Sequence, residues 1–200
     1  MTGFIGTAWL CPALSQSDGD RDAWRLLRQD TYPSWLYPVR QGATTIWERL
    51  DSFTLDRGFG GNNSMNSFNH YSFGAVGGWM LSRILGVCRG KAAACWDLEP
   101  TPDPDGIVTW AGGSVQTVKG LYESAWRKTE SGTEYHITIP ANTTAVLRLP
   151  AKQESKITEG GGIAAKAPGV EALGFESGRA VFRLQSGSFR FCVEEAPCRV

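Results

Sequence analysis

Long apolar runs are missing from this chain. Every hydrophobic stretch is broken by glycine or a polar residue well short of the roughly 20 residues that a membrane-spanning helix needs. Charge of one dominant sign is missing too: Lys+Arg 20 and Asp+Glu 20 cancel to a formal net charge of zero. With no basic run longer than two residues, nucleic acid and anionic membranes find little to attract them. Met1-Thr2-Gly3-Phe4 puts no cationic region ahead of its apolar segment, so the start does not read as a signal peptide, and the compartment stays open. Internal repeats and low-complexity tracts are absent. The 5 cysteines (Cys11, Cys88, Cys95, Cys192, Cys198) lack CxxC spacing and have no histidine in ligand register, so they imply no metal site. They read as buried or incidental thiols. A Cys88–Cys95 or Cys192–Cys198 bridge requires an oxidising compartment.

What is present is enough apolar residue for a substantial core in 200 residues, and a change of texture near residue 88. Before it the signals are helical. Ile5 to Leu14 suits one apolar helix, ended by the polar and turn residues Ser15–Gly19. Asp20 reads as the N-cap of a second helix carrying Ala23, Trp24, Leu26 and Leu27. Pro33 and Pro38 end regular structure. A short helical turn is expected over Thr44–Leu50, capped by Thr44 or Thr45, and a glycine- and asparagine-rich loop over 51–67. From Phe68 onward, Phe73, Val76, Met80, Ile84 and Val87 recur at helical spacing.

After Gly90 the chain reads as strands: Ala92–Leu98, Gly113–Leu121, Glu123–Lys128, Thr133–Ile139, Thr144–Leu149, Ala180–Leu184 and Ser188–Val193. Short strands separated by turn chemistry at this spacing predict an antiparallel β-sandwich.

Two segments concentrate chemistry. Ala43-Thr44-Thr45-Ile46-Trp47-Glu48-Arg49-Leu50-Asp51 is followed by Met65-Asn66-Ser67-Phe68-Asn69-His70-Tyr71. A sugar site uses such side chains: a flat aromatic for the ring face, carboxylates for proton transfer, and amide or imidazole for hydroxyls. Each residue also has a plainer reading. Trp47 and Trp35 are either an aromatic wall or core packing. Arg49 and Asp51 either pair with each other or orient Glu48, and Asn66 and Asn69 fix the loop.

These segments resemble the C-terminal part of the catalytic domain of bacterial and fungal α-L-rhamnosidases. The likeness extends through Thr2-Gly3-Phe4-Ile5-Gly6-Thr7, Tyr32-Pro33-Ser34-Trp35 and Phe73-Gly74-Ala75-Val76-Gly77. Trp126 and Ile139-Pro140-Ala141-Asn142-Thr143-Thr144-Ala145 look like the family's terminal module. The resemblance implies an α+β chain: residues 1–87 as the last portion of an (α/α)6 barrel, then an antiparallel β-sandwich over 88–200. It implies an inverting hydrolase of terminal α-L-rhamnosyl residues, acting on a rhamnosylated glycoside or polysaccharide without metal or organic cofactor.

Inverting enzymes hold two carboxyl groups roughly 6.5–9.5 Å apart, with water between them. The family's general base carries over to Glu48 and its sugar-contacting histidine to His70. Trp47 and Trp35 are the accompanying substrate-binding candidates, and Arg49, Asp51 and Asn69 the supporting ones. The general acid belongs to earlier barrel helices, so the expectation is a chain inactive by itself and partnered by the N-terminal part of the barrel. The alternative is a non-catalytic carbohydrate-binding or interaction module displaying Trp110, Trp126 and Tyr122.

Overall fold

A computed structural model of the chain describes residues 3–60, 64, 66–89, 95–153 and 155–194. These fall into two compact units, one ending at Trp79 and the other beginning at Met80.

The first unit is helical at its start. Helix α1 spans Phe4–Gln16 and helix α2 spans Asp20–Arg28. Asp20 is the first helical residue of α2, and Gly19 takes the cap position instead. The physical reason is crowding: the Gly19 N–H donates to Leu14 O at 2.7 Å, and a Cβ at 19 would lie 3.0 Å from that same oxygen. Asp20 and Asp22 sit in the first turn and Arg25 and Arg28 in the last, which suits the helix dipole. Helix α3, Leu36–Arg40, is a single short turn. After a long loop, a tight 3-10 turn at Ser72–Ala75 leads into α4, Val76–Trp79. Trp24 and Trp79, both nearly fully buried, meet edge to face with centroids 6.1 Å apart, and Trp79 Nε1 donates to Ser15 Oγ at 2.8 Å.

The expected helical turn over Thr44–Leu50 does not form. That segment is irregular, with bends at Thr44, Thr45, Glu48 and Arg49, and runs beside 66–70, with Glu48 N–H donating to Ser67 O and His70 N–H to Ile46 O, each at 2.8 Å. The adjacent β-branched residues Thr44, Thr45 and Ile46 disfavour a helical turn, and Thr45 spends its hydroxyl on Phe68 O rather than on a cap.

The second unit opens with a π-helical turn at Met80–Ile84 and continues as strands. One sheet has the order β1-β2-β6-β10-β9, built from Val87–Arg89, Cys95–Leu98, Thr144–Pro150, Arg179–Leu184 and Val170–Glu176. The other has the order β3-β4-β5-β11-β7-β8, built from Trp110–Thr117, Gly120–Thr129, Gly132–Ile139, Gly187–Glu194, Ile157–Glu159 and Gly162–Ile163. Pairing is antiparallel except between β2 and β6. The sheets face one another: Trp96 of β2 touches Tyr122 of β4 at 4.6 Å, and Phe182 of β10 touches Phe191 of β11 at 5.4 Å. Alternating residues of β4, β5, β6 and β11 fill the space between them.

The expected strand Gly113–Leu121 is interrupted. Thr117–Gly120 makes a tight turn, closed by Thr117 Oγ1 donating to Gly120 O at 2.8 Å, with Val118 wholly exposed at its tip. Trp126 and Tyr122 are buried in the sandwich core, so of the aromatics proposed for display only Trp110 is exposed. Cys11, Cys88, Cys95 and Cys192 are free thiols, which removes the Cys88–Cys95 bridge. Cys198 lies outside the described residues, as do Met65 and Ala92.

Candidate active site

Two irregular segments, 45–48 and 66–70, tied by backbone hydrogen bonds, position the sequence-derived candidates. Glu48 is half-buried, and its Oε2 accepts the Ser67 N–H at 2.7 Å while its own N–H returns to Ser67 O. This reciprocal pair pins one carboxylate oxygen and the backbone behind it. His70 lies on the opposing segment. Its ring is tilted 4.8 Å from Phe4 and stacked 5.3 Å from Tyr71. His70 Nδ1 accepts the Ser72 N–H at 3.4 Å, which in a neutral ring assigns the proton to Nε2 and makes that edge a donor. Asn69 is exposed, and its N–H donates to Ser67 Oγ at 3.1 Å. Asn66 fixes the loop as expected, since its Oδ1 accepts from Ser52 Oγ and its Nδ2 donates to Ser52 O at 3.5 Å.

The two tryptophans part company. Trp47 is buried, with Phe53 and Phe68 packed edge-on at 6.4 and 5.3 Å, so it anchors an aromatic cluster beneath the Glu48 segment. Trp35 is half-buried, donates from Nε1 to Phe73 O at 3.0 Å, and lines a mainly apolar cleft of about 340 Å³ with Leu10, Leu26, Pro33, Leu50 and Phe73. Arg49 and Asp51, both exposed, line a separate polar cleft of about 220 Å³ together with Thr54, Arg57 and Phe59. The motifs did not reveal three participants: Ser67 as the carboxylate's partner, Phe4 as the histidine's neighbour, and the Arg57–Phe59 wall. Each acts through a contact distant in sequence or through a turn whose geometry the residue types alone do not define.

Residues 1–84 match the bacterial α-L-rhamnosidase six-hairpin glycosidase domain, and residues 89–164 match the bacterial α-L-rhamnosidase C-terminal domain. The chain belongs to the α-L-rhamnosidase family. It is 39% identical over 192 residues to an α-L-rhamnosidase of Streptomyces avermitilis, covering 96% of this chain and 18% of that relative. A Formosa agariphila α-L-rhamnosidase is 36% identical over 156 residues, covering 78% of this chain and 17% of the relative. The solved S. avermitilis α-L-rhamnosidase, complexed with L-rhamnose, superposes with a TM-score of 0.82 over 96% of this chain and 18% of its own. The Dictyoglumus thermophilum α-L-rhamnosidase, 32% identical, superposes with a TM-score of 0.81 over 97% of this chain and 21% of its own. The chain therefore spans about a fifth of the length of these rhamnosidases.

Proposed function

We propose that this chain is the C-terminal part of an inverting α-L-rhamnosidase, with residues 1–87 completing the barrel, 88–200 forming the terminal sandwich, and Glu48 as the general base. In this reading Glu48 takes a proton from water as the water attacks the anomeric carbon, while an acid on another part of the barrel protonates the departing oxygen. The observation that carries the reading is the Glu48 carboxylate, tied at one oxygen to Ser67 N–H on a segment that also bears His70. A base needs a fixed bearing and an oxygen left for water, and a single backbone bond is consistent with both. His70 Nε2–H would donate to a sugar hydroxyl, and the L-rhamnose bound by the S. avermitilis relative is the corresponding sugar. Burial of Trp126 and Tyr122 weakens the alternative of a binding module, because of its three named aromatics it leaves only Trp110 exposed to meet a glycan chain.

The test uses a chimera in which this chain replaces the matching region of the S. avermitilis enzyme. The chain by itself is expected to show negligible hydrolysis of an aryl α-L-rhamnoside, and the chimera to hydrolyse it. Glu48→Gln in the chimera should lower kcat by about 1,000-fold or more while leaving rhamnose affinity within a few-fold, as expected for a group needed only for the chemical step. Equal losses of binding and rate would make Glu48 a structural or ligand-holding residue.

A further inference from the structure

The polar cleft next to the Glu48 segment has no part in the proton chemistry just described. Arg49 directly follows Glu48 in the chain and lines the cleft with Arg57, Asp51, Thr54 and Phe59. The backbone carrying both arginines is held by local bonds. Thr54 and Gly58 exchange N–H to O bonds of 3.0 and 2.8 Å, and Arg57 N–H donates to Thr54 Oγ1 at 3.3 Å. Arg49 N–H donates to Ser52 Oγ at 3.3 Å. Phe59 packs edge-on against Phe53 and Phe68 at 5.2 and 5.6 Å yet stays 59% exposed, so its ring is fixed without being covered. Arg57 Nε lies 3.7 Å from Asp56, and both side chains are largely exposed. Such a solvent-screened pair is weak and does not occupy the guanidinium fork.

We propose that this cleft is a subsite for an anionic sugar, a uronate or a sulfated hexose. It rests on the glycosidase reading in taking that sugar as part of a rhamnosylated glycan. A guanidinium fork binds carboxylate or sulfate through two parallel hydrogen bonds. The exposed face of Phe59 covers the apolar side of a pyranose, and the exposed Asp51 carboxylate accepts from its hydroxyls. Asp51 also repels an anion from its own side, which directs the charged group toward Arg57. The cleft of about 220 Å³ suits one monosaccharide unit rather than an extended chain.

The test titrates the ¹⁵N-labelled chain with methyl β-D-glucuronide, methyl β-D-glucoside 6-sulfate and neutral methyl β-D-glucoside, following the amide signals of residues 57–60. At least one anionic probe should bind about tenfold more tightly than the neutral glucoside, the factor supplied by one charge-assisted hydrogen bond, and the preference should fall as salt rises. The carboxylate and sulfate arms then identify which anion is preferred. Arg57→Gln should erase the preference while leaving neutral-sugar binding unchanged, and its exposed side chain makes the substitution compatible with folding. Equal affinity for all probes, or a preference that survives Arg57→Gln, overturns the proposal. Turnover by the chimera tests the glycosidase reading independently, so the two can fail separately.

Discussion

Cys11 sits on α1 at 1% exposure, and burial pushes its thiol from 9.0 up to about 11. The folded state therefore keeps the proton over a pH range in which the unfolded chain releases it. Because the folded value is the raised one, this contribution to stability is complete below pH 9 and is lost as pH climbs towards 11. The loss by about pH 10.5 is on the order of 2 kcal/mol. Chemical denaturation at pH 8.5 and about 10.5 should show the wild-type chain losing more stability than Cys11→Val by that amount. Identical slopes for the two would mean the thiol ionises as readily inside the fold as outside it. Trp47 and Glu48 make a related contrast between neighbours: one ring is buried against Phe53 and Phe68, while the next side chain is half-buried with its carboxylate held by Ser67.

Between the π-helical turn and β1, the backbone at 84–86 is held from two directions. Trp126 Nε1 donates to Ile84 O at 2.9 Å, Ser124 Oγ to Leu85 O at 2.6 Å, and Glu99 N–H to Gly86 O at 2.9 Å. Gly86 adopts φ +69, and a Cβ there would lie 2.1 Å from the Glu99 carbonyl carbon. Gly86→Ala should cost more than about 3 kcal/mol, combining backbone strain with a clash that rigid main chain cannot relieve. Gly106 has a similar φ of +70 but open space around it, so Gly106→Ala should cost only about 1 kcal/mol. Urea midpoints read from the β-sheet circular dichroism signal give the comparison, and equal costs would place the effect in φ alone. Legibility in the sequence follows the same division between local and distant causes. The first two helices were readable because the apolar content of α1, the apolar stripe of α2 and the Ser15–Gly19 break are local. The non-helical form of Thr44–Leu50 was not, because its partners lie some twenty residues on. Strand β9 was missed because an edge strand exposed along most of its length shows no alternation. Motif spacing marks Glu48 and His70, whereas the contacts of Ser67 and Phe4 arise only from the fold.

Helix α1 is apolar on two sides. Cys11 is buried and Leu10 and Leu14 are half-buried, yet Ile5 is 82% exposed and Trp9 67% exposed one helical turn apart. A helix hydrophobic all round is ordinarily covered all round. The α-L-rhamnosidases that this chain matches are about five times longer, and in the proposed reading their preceding barrel helices are what covers that stripe. The chain by itself should therefore self-associate, with a weight-average mass that rises with concentration in sedimentation equilibrium. Replacing Ile5 and Trp9 together by lysine should abolish this association without unfolding the chain, because neither side chain belongs to the buried core. The same double substitution in the chimera should have the opposite consequence. There the stripe is enclosed, two unpaired ammonium groups would be buried, and stability should fall by several kcal/mol. A chimera that tolerates both lysines would show that the stripe faces water in the complete barrel, and the covering helices would have to lie elsewhere.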